Sequence, residues 1–227
     1  MPARSIFRNK MARKRTAILI SGRGSNMTAL IEAAKDPTYP AEIVLVVSNR
    51  PEAGGVSRAA AEVIATEVVD HTRFPKDREG FERALQSTLE SHRIEIVCLA
   101  GFMRVLTTWF VSRWSGRLLN IHPALLPAFK GLDTHRRALE AGASEHGATV
   151  HFVVPEMDSG PIITQGAVPV RRGDTEEMLS KRVLKIEHRI YPIALRLVAS
   201  GQARMVDDRC VIEGSVDAAE AAFLPAH

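Results

Sequence analysis

The stretch TAILISGRGSNMTALIEAAK, residues 16–35, joins two different hydrophobic periods through a glycine loop. Its first six residues, TAILIS, form a short, nearly continuous apolar run, as a strand buried on both faces requires. From Ser25 onward the pattern changes, and Met27, Leu30, Ile31 and Ala34 recur at helical spacing. Gly22 and Gly24, in SGRGSN between the two, permit a tight turn and close approach of backbone to a ligand. Strand, glycine loop and helix in that order open an α/β sheet.

The loop supports two readings. The helix behind it offers unpaired N–H groups and a partial positive charge, which suit a phosphate held by Gly24, Ser25 and Asn26. The same residues also make a tight turn with an N-cap. No Lys-Ser/Thr pair follows, so this is not a P-loop, and no third glycine stands three places after Gly24 to complete a dinucleotide fingerprint. The position after the first strand favours one phosphate group over a pyrophosphate.

Working outward, apolar runs alternate with helical patterns. AEIVLVVSN (41–49) reads as a second strand, closed by the turn NRPEAGG. A helix over about 55–65 leads to the short strand TEVVD. Residues 77–92 form an amphipathic helix with Phe81, Leu85 and Leu89 on one face, and IEIVCLAGF (94–102) is another buried strand. This order predicts right-handed crossovers and a three-layer fold: a mostly parallel twisted sheet with helices on both faces, Rossmann-like in its first half. Further on, RLLNIH, EHGATVHFVVP and PIITQGAVPV read as strands. HRRALEAG reads as a short helix stopped by Gly142, and 175–200 as a long helix that Pro192 should kink or break. Residues 203–227 read as a small β-ribbon and a frayed end.

The chain has 227 residues, 45% hydrophobic and 25% charged, ordinary for a globular protein that buries its core without disulfides. Its net charge of +4 comes from residues 1–15, which hold six basic side chains and no acid. Taking those six from the thirty Lys and Arg leaves 24 against 26 Asp and Glu. Residues 1–15 therefore read as a solvated basic tail, with Met11 a possible natural start, and the body carries no nucleic-acid signature. Cys98 and Cys210 make neither a metal spacing nor a redox motif, which points to a reducing cytoplasm. No apolar run is long enough to span a membrane, and no His-Glu-x-x-His, cysteine cluster or Asp-rich loop signals a metal.

The chemistry is concentrated in RLLNIHPALLPAFKG, residues 117–131. Asn120 and His122 lie two apart, so they share one face at the carboxyl end of a strand, where open α/β sheets bind ligands. Pro123 and Pro127 stiffen the loop beyond it. EMDSGP (156–161) supplies Asp158. A carboxylate beside His122 would hold the ring and raise its pKa, and Asn120 could donate to an oxygen, so the three could form an oxyanion hole. Turn chemistry around Asp158 and a satisfied structural histidine account for the same residues.

Taken together, LISGRGSNMTALIEA, VVSNRPEAGG, CLAGFMRVL, LLNIHPALLPAFKGLDTHRRALEAG, HGATVHFVVPEMDSGPIITQ and EHRIYPIAL resemble the phosphoribosylglycinamide formyltransferases, a folate-dependent family of purine synthesis. The resemblance runs from about Thr16 to Gln202. It implies the formyltransferase fold over 16–202, with 16–102 as the nucleotide-phosphate half and 103–202 as the folate and catalytic half. It implies 10-formyltetrahydrofolate as co-substrate and direct attack by the nucleotide's amine. Asn120, His122 and Asp158 would then be catalytic. Gly24, Ser25 and Asn26 would hold the phosphate and Glu187 the ribose or glycinamide portion. Arg78, Met103, Arg104, Val105, Leu106 and Asn120 would contact the folate. Small-molecule substrates, no metal, no nucleic acid, no membrane and a monomer or homodimer complete the expectation.

Leu184 stands where the family pattern has a glutamine, Asp133 where some relatives carry a histidine, and Arg23 where an asparagine is common; His135 is shared with the family and reads as supporting. Related folate enzymes remain as alternatives. Methionyl-tRNA formyltransferases add a large C-terminal domain and formyltetrahydrofolate hydrolases an N-terminal one, so the length favours a stand-alone transferase. A non-catalytic folate or nucleotide binder would have no need of an oxyanion hole.

Overall fold

The apolar runs assemble into one seven-stranded sheet in the computed structural model, which describes residues 12–225. Its strands are β1 (Lys14–Ile20), β2 (Ala41–Ser48), β3 (Ala65–Val68), β4 (Ile96–Leu99), β5 (Leu118–His122), β6 (Glu145–Phe152) and β7 (Ile162–Pro169), in the order β3-β2-β1-β4-β5-β6-β7. The five strands from β3 to β5 are parallel. β6 runs antiparallel to both β5 and β7, so it alone opposes the rest.

Period-two alternation divides the core. On one face Ile18, Ile20, Val46 and Leu119 pack with α1 (Ser25–Ala34) and α6 (Glu176–Ala199). On the other, Ala17, Leu19, Val47 and Leu118 pack with Phe81, Leu85 and Leu89 of α3 (Arg78–Ser91) and with Phe110 and Val111 of α4 (Thr108–Arg113). The expected three layers follow. α2 (Gly54–Ala61) and α5 (Thr134–Glu140) complete the connections. Asp77 caps α3 by accepting from Gly80 N, and Thr175 caps α6 by accepting from Met178 N. At six residues α4 is too short to show a period, and the sequence reading contains no helix there.

Three expectations need correction. α6 runs unbroken through Pro192, because its buried face, including Leu179, Val183, Ile190 and Ala194, holds the helix on both sides of the missing N–H. Tyr39 Oη also donates to Pro192 O at 2.6 Å. Second, the basic residues next to the fold are not a tail. Lys14 and Arg15 belong to β1, Lys14 Nζ pairs with Glu95 at 2.7 Å, and Arg13 Nε donates to Ala41 O at 3.1 Å. The remainder of that segment, 1–11, lies outside the described residues. Third, the expected β-ribbon forms, as the hairpin of β8 (Ala203–Val206) and β9 (Arg209–Ile212), but the stretch beyond it is not frayed up to 225, since α7 (Ala218–Ala221) follows. Phe223 O accepts from Gln165 N at 2.8 Å and so shields the β7 edge.

His146 on β6 is fully buried, its ring edge-on to His135 at 5.2 Å. Burial, then the neighbouring His135, pushes its pKa down from 6.5 to about 4. As pH falls, the unfolded chain takes up this proton first. The contribution is therefore complete above about pH 6.5 and is lost towards pH 4, by on the order of 3 kcal/mol. Urea unfolding of the wild type should show this loss between pH 7 and 4, and His146→Phe should show a shallower one; equal pH slopes would contradict it.

Candidate active site

β5 ends in the middle of the sheet, between β4 and β6, and its last turn of pleat presents Asn120 and His122 together. Both line a cleft of about 430 Å³ at the carboxyl ends of β4 and β5. Asp158, in the loop between β6 and β7, lines it too. The structure thus brings together the three residues singled out from the sequence.

Their contacts restrict what each can do. His122, 5% exposed, has Nδ1 3.4 Å from Asp158 Oδ2 and Nε2 3.0 Å from Phe129 O. A carbonyl only accepts, so Nε2 carries the proton in that bond. Gly131 N donates to Asp158 Oδ2 at 2.9 Å, and Lys130 Nζ donates to Ser159 Oγ at 2.5 Å, which ties the loop after β5 to the loop after β6. Buried Thr149 reinforces the first loop. Its Oγ1 donates to Ala124 O at 2.7 Å and accepts from Leu126 N at 3.1 Å.

One residue at the centre of the site, His151, does not emerge from the sequence reading. The antiparallel register places it directly opposite Asn120, and Asn120 Nδ2 lies 3.2 Å from its Nε2. Its Nδ1 donates to Phe152 O at 2.8 Å. Burial, the largest influence, pushes its pKa down, so the ring is neutral and Nε2 offers a lone pair. Asn120 therefore points its N–H₂ group inward with one N–H on His151. Asp158 Oδ1 is 3.9 Å from the same Nε2, too long for a hydrogen bond, and with the ring neutral no ion pair forms there. The only available signal was the second histidine of HGATVHFVV, and its meaning depends on a strand pairing that the sequence does not reveal.

The rest of the cleft is an apolar slot. Met103, Arg104, Val105 and Leu106 follow β4 and line it. Met103, Val105, Leu132 and Met157 are all large, apolar and more than half exposed, and all four belong to this one cleft. Such a clustered patch marks a binding surface. Glu82, buried on α3, accepts from Thr107 N at 2.6 Å and from Thr107 Oγ1, anchoring the far end of the segment. The Arg104 guanidinium stacks 4.6 Å over Phe81; burial, then the charge of Arg78, lowers its pKa. Arg78 is exposed at the first position of α3 and is not among the residues lining the cleft.

A second cavity, about 290 Å³, opens beside it at the glycine loop. Gly24, Ser25 and Asn26 line it with Ser21, Arg23 and Arg50. Gly24 takes a left-handed φ of 72° as the N-cap of α1, and no side chain caps that helix. The tight turn is present, with the backbone of Gly24, and not the side chain of Ser25 or Asn26, at the N-cap position. Asn26 turns its side chain inward, and Nδ2 donates to Glu187 Oε2 at 2.5 Å. Its buried Oδ1 has no partner among the described residues, and burial raises the pKa of Glu187. Glu187 lines neither cavity and reaches the site through Asn26. Among the described residues no cluster of His, Cys, Asp or Glu forms a metal site, and no helix is long and apolar enough to cross a membrane.

Residues 14–195 match the family model described as formyl transferase. The chain is 48% identical over 202 residues to the trifunctional purine biosynthetic protein adenosine-3 of Bos taurus, covering 89% of this chain and 20% of that protein. It thus spans about a fifth of the length of such relatives. It is 44% identical over 197 residues to the phosphoribosylglycinamide formyltransferase of Escherichia coli, covering 87% of this chain and 92% of that one. The solved structure of the Coxiella burnetii phosphoribosylglycinamide formyltransferase superposes with a TM-score of 0.83 at 42% identity, covering 88% and 93% of the two chains.

Gly160 tests how tightly the Asp158 loop is held. A Cβ there would lie 1.7 Å from Phe152 O, the carbonyl that fixes the tautomer of His151. Gly160→Ala should cost about 1–3 kcal/mol in urea unfolding as the loop is pushed off β6; an unchanged midpoint would show that the loop is not packed as described.

Proposed function

The chain belongs to the formyl transferase family, and from that premise we propose that it transfers the formyl group of 10-formyltetrahydrofolate to the amine of 5′-phosphoribosylglycinamide, a step of de novo purine biosynthesis. One observation carries the reading. The glycine-loop cavity and the apolar cleft are contiguous, with Gly101 and Met103 lining both. A phosphate-bearing substrate and a flat heterocycle can therefore meet where Asn120, His122 and Asp158 converge.

The residues present fit both substrates. The open end of α1, with exposed Arg23 and Arg50 beside it, suits a phosphate dianion. Asn26 lines the same cavity, and Glu187, by accepting from its Nδ2, serves the nucleotide's ribose or glycinamide portion by orienting that amide. The slot over Met103 to Leu106 suits a pterin, with backbone groups there reading its edges and Arg104, backed by Arg78, facing its acidic portion.

In the reaction the amine nitrogen bonds to the formyl carbon and the carbonyl π pair moves to oxygen. The free N–H of Asn120, whose other N–H is held by His151, donates to that oxygen. His122 supplies the second donor when Nε2–H turns from Phe129 O to the oxyanion. Asp158, fixed by Gly131 N beside the His122 ring, takes up the proton shed by the amine. The oxygen's electron pair then re-forms the carbonyl as the carbon–nitrogen bond to the folate breaks, the folate nitrogen takes the proton held by Asp158, and tetrahydrofolate leaves. Each oxyanion donor is worth about 3–4 kcal/mol of barrier.

The same reading assigns catalysis to residues 16–202. It places the enzyme in the cytoplasm as a monomer or homodimer acting on small molecules. Steady-state assays with glycinamide ribonucleotide, water and initiator tRNA as acceptors should show turnover with the first alone. His122→Ala and Asp158→Asn should each lower kcat by about two to three orders of magnitude with unchanged circular dichroism. Near-normal kcat in either variant would reject a catalytic role for that residue.

A further inference from the structure

We propose that Ser21 is a positioning residue that sets the nucleotide site and the folate slot in register with each other. The inference rests on the preceding reading of the two cavities. Ser21 is the first residue of the glycine loop and is 6% exposed. Its backbone N donates to Gly101 O at 3.2 Å. Its Oγ accepts from Met103 N at 2.8 Å and donates to Asn49 Oδ1 at 2.6 Å. One buried residue therefore makes both a main-chain and a side-chain bond to the segment after β4, and both of its partner residues there line the two cavities.

The relay is directional and fully used. Met103 N–H points to the Ser21 hydroxyl oxygen, and the hydroxyl hydrogen points to Asn49. Asn49, 2% exposed at the end of β2, is itself held: its main-chain oxygen lies 2.7 Å from His71 Nδ1. Removing the hydroxyl would take from Met103 N its protein acceptor and leave Asn49 Oδ1, in a residue 2% exposed, without its donor. Nothing else among the described residues ties the glycine loop to Met103 by a side chain. A ligand that orders loop 21–26 therefore also orders the start of the pterin slot, and by linkage the reverse holds equally. Register matters because attack demands that amine nitrogen and formyl carbon approach within a narrow range, and an error near 1 Å can cost roughly a hundredfold.

The test measures binding of tetrahydrofolate to the wild-type enzyme by calorimetry, with and without saturating glycinamide ribonucleotide, a pair that cannot react. Each ligand should tighten the other. In Ser21→Ala the tightening should fall to a factor near one, and kcat should drop roughly tenfold or more, while the KM measured for each substrate moves less than kcat. Ser21→Thr, which keeps the hydroxyl, should restore both. Asn49→Ala, which removes the acceptor but leaves Ser21, should weaken the coupling in the same direction and serves if Ser21→Ala does not fold. Absence of mutual tightening in the wild type, or its survival in Ser21→Ala, overturns the proposal. A wild type that formylates glycinamide ribonucleotide but keeps its coupling in Ser21→Ala sinks this inference alone. A wild type that does not formylate it sinks the functional reading first.

Discussion

The site depends on one strand running the wrong way. Because β6 opposes its neighbours, His151 stands across from Asn120 in the ladder, and a neutral imidazole becomes the acceptor that fixes an amide. Had the ring been charged, both of its nitrogens would be donors, and Asn120 would have to turn its oxygen towards the ring and away from its present role. Burial prevents this by disfavouring the proton. The pairing of β6 with β7 slips between Val150 and His151, so a ladder irregularity lies at this residue. Such irregularities re-aim side chains next to active sites.

From that fixed pair the remaining groups are placed by short ties between loops. Gly131 N holds Asp158, Lys130 holds Ser159, and Thr149 holds both ends of the bend after His122. Glu82 secures Thr107 at one end of the cleft-lining segment after β4, and Ser21 secures Met103 at the other. No single tie is strong. Together they hold Asp158, which lies in a loop, against Asn120 and His122, which lie on a strand. This is how irregular backbone can carry chemistry that needs sub-ångström placement.

Much of this was legible in the sequence because local patterns there agree with the fold. The run from Thr16 to Lys35 predicts β1, its loop and α1, and Phe81, Leu85 and Leu89 predict the buried face of α3. Asn120 and His122 were readable because a strand's period of two puts them on one face. The features that were not legible depend on distant partners. His151 acquires its role only from antiparallel pairing, Glu82 only from Thr107, and Ser21 only from Met103 and Asn49. The inward turn of Asn26 was hidden for the same reason, since Glu187 lies far along the chain. Pro192 does not break α6, because an interior proline's local cost is outweighed by a long buried helix face.

Asp158 occupies a left-handed backbone conformation, with φ of 50°, as do Phe129 and Asp133 in the loop after β5. Among residues with a Cβ, aspartate and asparagine tolerate that region best. Position 158 is thus selected twice, once for a carboxylate and once for a short side chain that accepts the inverted twist of the main chain. Glutamate would keep the charge but accept that twist less readily; glycine would accept the twist and forfeit the charge. Aspartate meets both demands best, so the identity of this residue follows from the shape of the chain as well as from its carboxylate.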